Sequence, residues 1–294
     1  MTHTDDLVLP FQVKSLMARG RLVRLGPVIH DILSRHDYPA PVSALLAEAV
    51  ALAALLGSAL KFEGRFILQT KTDGPVDLIV ADFAAPHGVR GYARYDLARL
   101  AALDKPSQAD LLGKGYLAMT VDQGSDMDRY QGIVPLEGIS LAQAADIYFA
   151  QSEQIPTRLK LASGPLTTRD GTHWRAGAIM VQHLPGEGGH SADETAADQW
   201  NTAALLLDTV EDHELLDPQL APESLLYRLY HEQGVTAYPG VELTRHCSCS
   251  RTAVERMIGN FPADDRAAMV HDGAITVTCE FCSSVYAFAP DAFA

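Results

Sequence analysis

The chain has 294 residues, of which 47% are hydrophobic, so it is long enough to bury at least one sizeable core and to divide into two or three domains. Its formal charge of -14 at pH 7 argues against a protein that binds nucleic-acid phosphates, because that contact requires clustered Lys and Arg. The first ten residues, MTHTDDLVLP, lack the basic segment and the apolar segment of a signal peptide, so we expect a cytoplasmic protein with reduced thiols.

The first 60 residues alternate between strand and helix patterns. Residues 9–14 and 21–25 are predicted to form short strands, and Pro27 can begin a helix that runs to about His36. Residues 42–60 are mostly Ala, Leu and Val, long enough by length alone to span a membrane. Because Glu48 lies in this run and no second such segment accompanies it, we predict a buried core helix that begins near Pro41.

Strand patterns separated by Gly and Pro turns dominate the next 120 residues. The predicted strands, of which the first three form an antiparallel meander, are residues 65–71, 76–81, 89–95, 115–121, 130–135, 159–162 and 174–181. Residues 141–151 are predicted to be helical. The fold class predicted for the chain is α+β, and residues 1–183 form its core domain of mixed sheet and helix.

Residues 184–241 differ in composition and are predicted to be an acidic helical linker. This segment opens with the flexible run Pro185-Gly186-Glu187-Gly188-Gly189, and between Arg175 and Arg228 the chain has neither Lys nor Arg. Charge of one sign repels itself and weakens a compact state. Apolar residues nevertheless recur at helical spacing in two stripes that must dock on another surface, at Ala196, Trp200, Ala203, Leu207 and Val210, and at Leu225, Leu226, Leu229 and Tyr230.

Residues 242–294 contain all four cysteines, as a C-x-C pair at Cys247 and Cys249 and a C-x-x-C pair at Cys279 and Cys282. Four thiols in two close pairs can converge on one tetrahedral ion, and thiolates favour zinc over calcium or magnesium. We therefore predict a Cys₄ zinc site with one zinc ion per chain.

The rest of this C-terminal region supports a small domain that depends on its metal. Helices are predicted after Thr252 and from Pro262 to the sequence His271-Asp272-Gly273, and residues 275–278 and 285–288 are predicted to be the strands of a hairpin that carries the second cysteine pair. About 50 residues with so little apolar content cannot be stable through packing alone. His246 and His271 are possible competing ligands, but we expect four cysteines to complete the coordination shell.

Thiolates that bind zinc are also the form of cysteine that oxidants attack. If oxidation joined each close pair, all four ligands would be lost together, which describes a reversible switch. The alternative is a permanent zinc site that only stabilises the C-terminus. The acidic linker directly before this region favours the switch, because unfolding of the zinc lobe can propagate into it.

Several runs resemble the 33-kDa heat-shock redox-regulated chaperone family. In the C-terminal region these are residues 246–251 (HCSCSR), Asp272-Gly273, residues 278–282 (TCEFC) and Tyr286. In the core they are residues 148–156 (YFAQSEQIP), 130–134 (YQGIV) and 90–92 (RGY). Similar stretches span almost the whole chain.

The resemblance implies a holdase that binds unfolding proteins without ATP and is not an enzyme. It implies zinc on Cys247, Cys249, Cys279 and Cys282 in a reduced, inactive state. Oxidation then forms the disulfides Cys247–Cys249 and Cys279–Cys282, releases zinc and unfolds first the C-terminal lobe and then the linker. The oxidised form binds unfolded client proteins and tends to form homodimers. The chain has no phosphate-binding G-x-x-x-x-G-K-[ST] sequence, which agrees with a cycle that does not use ATP.

Two other functions are compatible with a cysteine cluster. A zinc-ribbon regulator that binds nucleic acid would need a basic face, whereas residues 242–294 contain more acidic residues than Arg and Lys. An enzyme could use Cys279 and Cys282 as a redox pair or use a catalytic zinc, but the C-x-x-C does not begin a helix in a βαβ unit and a Cys₄ set leaves no open coordination position. We expect neither nucleic acid nor a membrane as a partner.

Overall fold

The structure is a computed structural model that describes residues 5–60, 63–124, 129–184 and 194–293, and the chain divides into two compact units, Met1–Arg245 and His246–Ala294. In chain order the strands are β1 (Leu7–Val13), β2 (Ala18–Leu25), β3 (Arg65–Thr72), β4 (Val76–Ala84), β5 (Gly88–Tyr95), β6 (Lys114–Asp122), β7 (Tyr130–Glu137), β8 (Thr157–Thr168), β9 (Gly171–His183), β10 (Val235–Ala237), β11 (Val241–Glu242), β12 (Thr244–Arg245), β13 (Val270–His271), β14 (Ala274–Thr278) and β15 (Val285–Phe288). The helices are α1 (Pro27–Leu33), α2 (Ala40–Gly57), α3 (Leu97–Ala101), α4 (Gln108–Leu112), α5 (Leu141–Tyr148), α6 (Glu194–Asp208), α7 (Asp212–Leu216), α8 (Pro222–Tyr230), α9 (Arg251–Gly259) and α10 (Ala263–Ala268). The predicted α+β class is confirmed.

Two sheets form the larger unit. The first sheet has the strand order β10-β1-β2-β9-β8, with β11 also paired to β1, and all of its pairings are antiparallel. The second has the order β12-β5-β4-β3-β6-β7. The predicted meander is confirmed for β3, β4 and β5, whereas the β6–β7 hairpin joins the sheet beside β3, so the chain crosses over after β5.

Helix α2 packs against strands of both sheets and forms the centre of the core. It is long and apolar enough to span a membrane by length and composition, but 78% of that stretch is buried inside the protein. The predicted core helix is therefore confirmed. Its one acidic residue, Glu48, accepts hydrogen bonds from Gln108 Nε2 at 2.5 Å and from Ser163 Oγ at 3.2 Å, and burial raises its pKa.

The last two strands of the core are longer than predicted. Strands β8 and β9 form one continuous hairpin from Thr157 to His183, in which Thr168 pairs with Gly171. Arg169 and Asp170 form the tight turn between the two strands, and Gly171, with a φ of +125°, follows it as the first residue of β9. The predicted helix 141–151 ends at Tyr148, because a wider turn with π-helical geometry, Phe149–Glu153, replaces its last turn.

The acidic segment covers the face of the first sheet that points away from α2. Both predicted apolar stripes dock there, since Ala203, Leu207 and Val210 are buried together with the stripe of α8 in one cluster with residues of β1, β2 and β9. Tyr230 is fully buried, its ring stacks on Phe11 at 5.9 Å, and its hydroxyl donates to the Ala203 carbonyl at 3.1 Å. The predicted flexible run at residues 185–189 lies outside the described residues.

The smaller unit has a core of four buried apolar side chains, Val254, Ile258, Ile275 and Phe288. The prediction that α10 extends to His271 is wrong: the helix ends at Ala268, and His271 lies in β13, which pairs with β14. Asp272 and Gly273 both have positive φ, 52° and 79°, and form the tight turn of this hairpin. The predicted strands at 275–278 and 285–288 are confirmed as parts of β14 and β15.

Residues just after the predicted domain boundary at 242 pair with strands of the larger unit. Strand β11 pairs with β1, and β12 runs parallel to β5. The boundary between the compact units accordingly falls between Arg245 and His246. The division into domains at 183 and 241 stays a prediction.

Candidate metal centre

The four predicted cysteines lie together in the smaller unit, with all Sγ atoms within 4.8 Å of one another. The Sγ atoms of Cys247 and Cys249 are 3.3 Å apart, those of Cys247 and Cys279 are 3.7 Å apart, and those of Cys249 and Cys282 are 3.4 Å apart. All four are free cysteines, because these separations far exceed the roughly 2.05 Å of a disulfide bond.

The first pair lies on a short connection that leads directly into a helix. Cys247 and Cys249 follow β12, and Ser250 caps the N-terminus of α9 by accepting a hydrogen bond from the Ala253 amide at 3.1 Å. The amide of Cys249 hydrogen bonds to the sulfur of Cys247. The cap fixes the start of the helix, and the amide–sulfur bond holds the two thiols on the same side of the connection.

The second pair occupies the turn between β14 and β15. The turn is closed by two backbone hydrogen bonds, from the Cys279 amide to the Ser284 carbonyl at 2.9 Å and from the Ser283 amide to the Cys279 carbonyl at 2.8 Å. Ser283 has a φ of 56°, which lets the chain reverse. Amides of Phe281 and Cys282 donate to the Cys279 sulfur. This hairpin geometry directs both thiols to one side of the turn.

The donor set and its spacing fit a tetrahedral metal ion. For metal–sulfur bonds of about 2.3 Å, a regular tetrahedron has sulfur–sulfur edges of about 3.8 Å. The three sulfur–sulfur distances of 3.3 to 3.7 Å are slightly shorter than that edge. Four sulfur donors select soft or borderline metals over Mg²⁺ and Ca²⁺, which prefer oxygen. Cys247, Cys249, Cys279 and Cys282 can therefore hold one metal ion with no open coordination position.

The local environment favours deprotonation of Cys282 over that of the other three thiols. Burial alone raises the pKa of Cys282, but hydrogen bonds from the side chain and backbone of Ser284, together with its interactions with Cys249 and Cys247, lower it to about 6. Burial raises the pKa of Cys247, Cys249 and Cys279. Cys282 is also the one buried cysteine of the four. It is the thiol most ready to bind a metal at neutral pH.

Neither histidine near the cysteines joins the cluster. Among the described residues, the group able to hold a metal consists of the four cysteines alone. His271 is exposed on β13, and His246 precedes the first cysteine. That four thiols complete the coordination shell stays a prediction.

Two residues that the cysteine spacing did not identify, Tyr286 and Ser284, contact the sulfurs. The Tyr286 hydroxyl donates to Cys249 Sγ at 3.2 Å, and this bond raises the tyrosine pKa to about 12. Ser284 Oγ lies 3.2 Å from Cys282 Sγ. Tyr286 belongs to the sequence runs that resemble the family, but the sequence does not show that it contacts Cys249. That contact follows from the position of Tyr286 on β15. Residues of this kind around a metal set its affinity and orient its ligands.

Known proteins match this chain over nearly its whole length. The sequence profile described as Hsp33 protein matches residues 6–289. A protein named 33 kDa chaperonin from Caulobacter vibrioides strain NA1000 / CB15N is 47% identical over 291 residues, which cover 97% of this chain and 95% of the relative. A protein of the same name from Pseudomonas paraeruginosa strain PA7 is 37% identical and covers 98% of this chain and 93% of its own length.

A solved structure shares the fold. The crystal structure of a 33 kDa chaperonin from Thermotoga maritima matches with a TM-score of 0.79 at 22% identity, over 98% of this chain and 96% of that chain. The match supports the α+β architecture described above. With a profile match over nearly the full length and relatives at 37 to 47% identity, the chain belongs to the Hsp33 family of chaperones.

Proposed function

We propose that this protein is a redox-regulated holdase chaperone that binds unfolding proteins without ATP. In the reduced state Cys247, Cys249, Cys279 and Cys282 hold one zinc ion and the protein is inactive, and oxidation of these cysteines activates it. The observation that carries the proposal is the convergence of all four cysteines in a unit whose described residues form a core of four buried apolar side chains, with a few partly buried ones packed against it.

Zinc is the metal that best fits four thiols in a small unit. When bound, it supplies a tetrahedral cross-link between the start of the unit and its last hairpin. A structural zinc site contributes about 10 to 16 kcal/mol of apparent binding energy in small peptides, whereas whole domains are stable by about 5 to 15 kcal/mol. The fold of residues 246–294 therefore depends on the four thiolates being available.

Oxidation removes those thiolates. Two thiols and one molecule of hydrogen peroxide give one disulfide and two molecules of water, so the S–S bond forms as the O–O bond breaks. We propose the pairs Cys247–Cys249 and Cys279–Cys282, following the family resemblance. The sulfur separations do not select this pairing by themselves, because Cys249 and Cys282 are as close as Cys247 and Cys249. Disulfide formation in either pattern leaves no free thiolate for the metal.

Loss of the folded smaller unit is proposed to release the acidic segment that precedes it. Helices α6, α7 and α8 bury one face of the first sheet. Their detachment uncovers apolar side chains of β1, β2 and β9, including Phe11, Leu22 and Ile179, and also frees their own apolar stripes. Exposed apolar surface of this kind binds the apolar segments of unfolding proteins. We place the protein in the cytoplasm, as a non-enzymatic chaperone that forms homodimers when oxidised.

The switch is tested by light scattering from a heat-unfolded enzyme in the presence of the reduced, zinc-loaded chain or of the chain treated with peroxide at elevated temperature. We expect suppression of aggregation only after oxidation, with release of about one zinc ion per chain, as a Cys₄ site implies. Equal suppression of aggregation in both states, or retention of zinc through oxidation, would show that the cysteines only stabilise the fold.

Tyr286→Phe is expected to weaken zinc binding without unfolding the unit, because it removes the hydroxyl that donates to Cys249 Sγ and keeps the ring. Loss of such an outer-shell partner typically lowers metal affinity by about 10-fold or more. Competition with a chromogenic zinc chelator measures the change. Tyr227→Phe is the matched control, since Tyr227 is 65% exposed on α8, and it should bind zinc like the unsubstituted chain. Equal zinc affinity of the two variants would show that the Tyr286 hydroxyl does not support the site.

A further inference from the structure

An arginine lies fully buried beneath the acidic segment. Arg24, on β2, is 0% exposed, and its guanidinium donates to three backbone carbonyls of that segment. The hydrogen bonds run from Nη2 to the Glu214 carbonyl at 2.7 Å and from Nη1 to the Asp217 and Leu220 carbonyls at 2.5 and 2.6 Å. These acceptors belong to α7 and to the turn that connects it to α8. One side chain of the sheet thus fixes the path of the chain between two linker helices.

The charge of Arg24 is poorly compensated where it lies. Burial, and next the neighbouring charge of Arg175, lower its pKa to about 10, and the charges of Asp5, Asp217 and Glu223 offset only part of this effect. Its Nε has no hydrogen-bond partner among the described residues. Carbonyl acceptors satisfy the donors of a guanidinium but carry no net charge, so they do not neutralise it. Among the described residues no carboxylate lies within ion-pair distance of Arg24, so part of the cost of burying its charge remains, and that cost ends when the group returns to water.

Three further cations of the same sheet contact the same short stretch. Arg158, on β8, forms a bidentate ion pair with Asp208, in which Nε lies 2.6 Å from Oδ1 and Nη2 lies 3.0 Å from Oδ2. Lys160 donates to the Val210 carbonyl and lies 3.3 Å from Asp212 Oδ1. Arg175, on β9, donates from Nε to the Leu216 carbonyl at 2.5 Å.

These contacts fall where helices end. The carbonyls of Val210, Glu214 and Leu216 lie after α6 or in the last turn of α7, where backbone acceptors have no partner within a helix and the helix dipole is negative. The chain itself has neither Lys nor Arg between Arg175 and Arg228, so residues 208–220 have no Lys or Arg of their own for these ends. Among the described residues, the Lys and Arg side chains that contact residues 208–220 lie on the sheet, except for Arg228 of α8, which pairs with Glu214.

We propose that Arg24, assisted by Arg158, Lys160 and Arg175, is a clasp that holds residues 208–220 on the first sheet in the inactive protein. This regulatory role rests on the proposed function. The clasp gives the docked segment one defined register, because the planar guanidinium can satisfy three carbonyls in only one placement. It also opens readily, since the buried charge of Arg24 regains water as soon as the segment leaves.

Hydrogen exchange in the reduced, zinc-loaded full chain tests the clasp without reference to chaperone activity. In Arg24→Met, three carbonyls lose their donors, and we expect amides of α7 and α8 to exchange about 10-fold faster or more, the factor that corresponds to one net hydrogen bond. The exchange rate of Arg24→Lys should be intermediate, because lysine keeps the positive charge but lacks the planar arrangement of guanidinium donors. Unchanged or slower exchange in Arg24→Met would overturn the proposal.

Arg21→Met is the matched control. Arg21 lies on the same strand but pairs with Met180, which packs in the core on the α2 side. Its substitution should leave the exchange of α7 and α8 unchanged, and an equal increase in both variants would mean general loosening of the sheet and would overturn the clasp. If Arg24→Met does not fold, Lys160→Met, at a partly exposed position, should still speed exchange around residues 210–216, and no change there would count against the proposal.

The functional consequence is measured by light scattering from a heat-unfolded enzyme, with oxidised unsubstituted protein as the positive control. Reduced, zinc-loaded Arg24→Met should suppress part of the aggregation that the unsubstituted protein suppresses only after oxidation. If the oxidised unsubstituted protein does not suppress aggregation, the proposed function fails, while the exchange result still decides whether Arg24 holds the segment. If that control is active and Arg24→Met exchanges faster but stays inactive when reduced, the regulatory role of the clasp is overturned.

Discussion

The Cys282→Ser variant is expected to lose the folded structure of residues 246–294 while the two sheets of the larger unit stay folded. Cys282 is the buried cysteine and the one with the lowered pKa, and a serine hydroxyl at its position does not bind zinc as a thiolate does. The remaining core of four apolar side chains cannot replace a contribution of about 10 kcal/mol or more. Amide hydrogen exchange in reducing, zinc-containing buffer measures the loss, region by region.

The same experiment on Met257→Ala supplies the control. Met257 lies on α9 and is 46% exposed, so its truncation should change stability by less than about 1 kcal/mol. Addition of a strong zinc chelator to the unsubstituted protein should reproduce the exchange pattern of Cys282→Ser. Continued protection of α9 and of the β14–β15 hairpin in Cys282→Ser would show that packing, and not metal, holds the unit together.

Tyr230→Ala should detach the acidic helices from the first sheet without any oxidation. Tyr230 is fully buried, stacks on Phe11 and hydrogen bonds to the Ala203 carbonyl, so truncation creates a cavity and leaves an acceptor without its donor. Truncation of a buried aromatic residue typically costs about 3 to 5 kcal/mol. We expect this loss in the first transition of urea unfolding, together with increased binding of a fluorescent apolar dye by the reduced protein.

Two variants separate the cavity from other effects of substitution at this surface. Tyr230→Phe removes only the hydroxyl and should cost about 1 kcal/mol, whereas Tyr227→Ala, at an exposed position on the same helix, should cost less than about 0.5 kcal/mol. If Tyr230→Ala proves no more destabilising than Tyr227→Ala, the docking of α8 does not hold the segment on the sheet.

Periodic and local signals explain the parts of the fold that the sequence predicted. The apolar run of α2 and the stripes of α6 and α8 have a helical repeat, and their burial follows from that repeat. The spacing of the cysteines likewise identified the candidate metal ligands before their positions were known, because the two close pairs limit where four sulfurs can meet.

The features that the sequence did not predict correctly are turns and contacts between residues that are far apart in the sequence. The sequence pattern does not predict the hairpin turn at Arg169-Asp170, and it assigns Asp272-Gly273, which is also a hairpin turn, to the end of a helix, because Gly marks both kinds of site. The position of β6 beside β3, the donation from Tyr286 to Cys249 and the carbonyl contacts of Arg24 depend on tertiary pairing, which no local pattern encodes.

The absence of Lys and Arg between Arg175 and Arg228 has a consequence for the proposed complex with a client protein. While the segment is docked, cations of the sheet offset part of its negative charge. In the proposed released state, residues 184–227, which contain neither Lys nor Arg, carry the negative charge of their Asp and Glu side chains. Complexes coated by such segments repel one another over about a Debye length, 8 Å at physiological salt. We therefore expect the same composition that weakens the docked state to keep client-loaded particles dispersed.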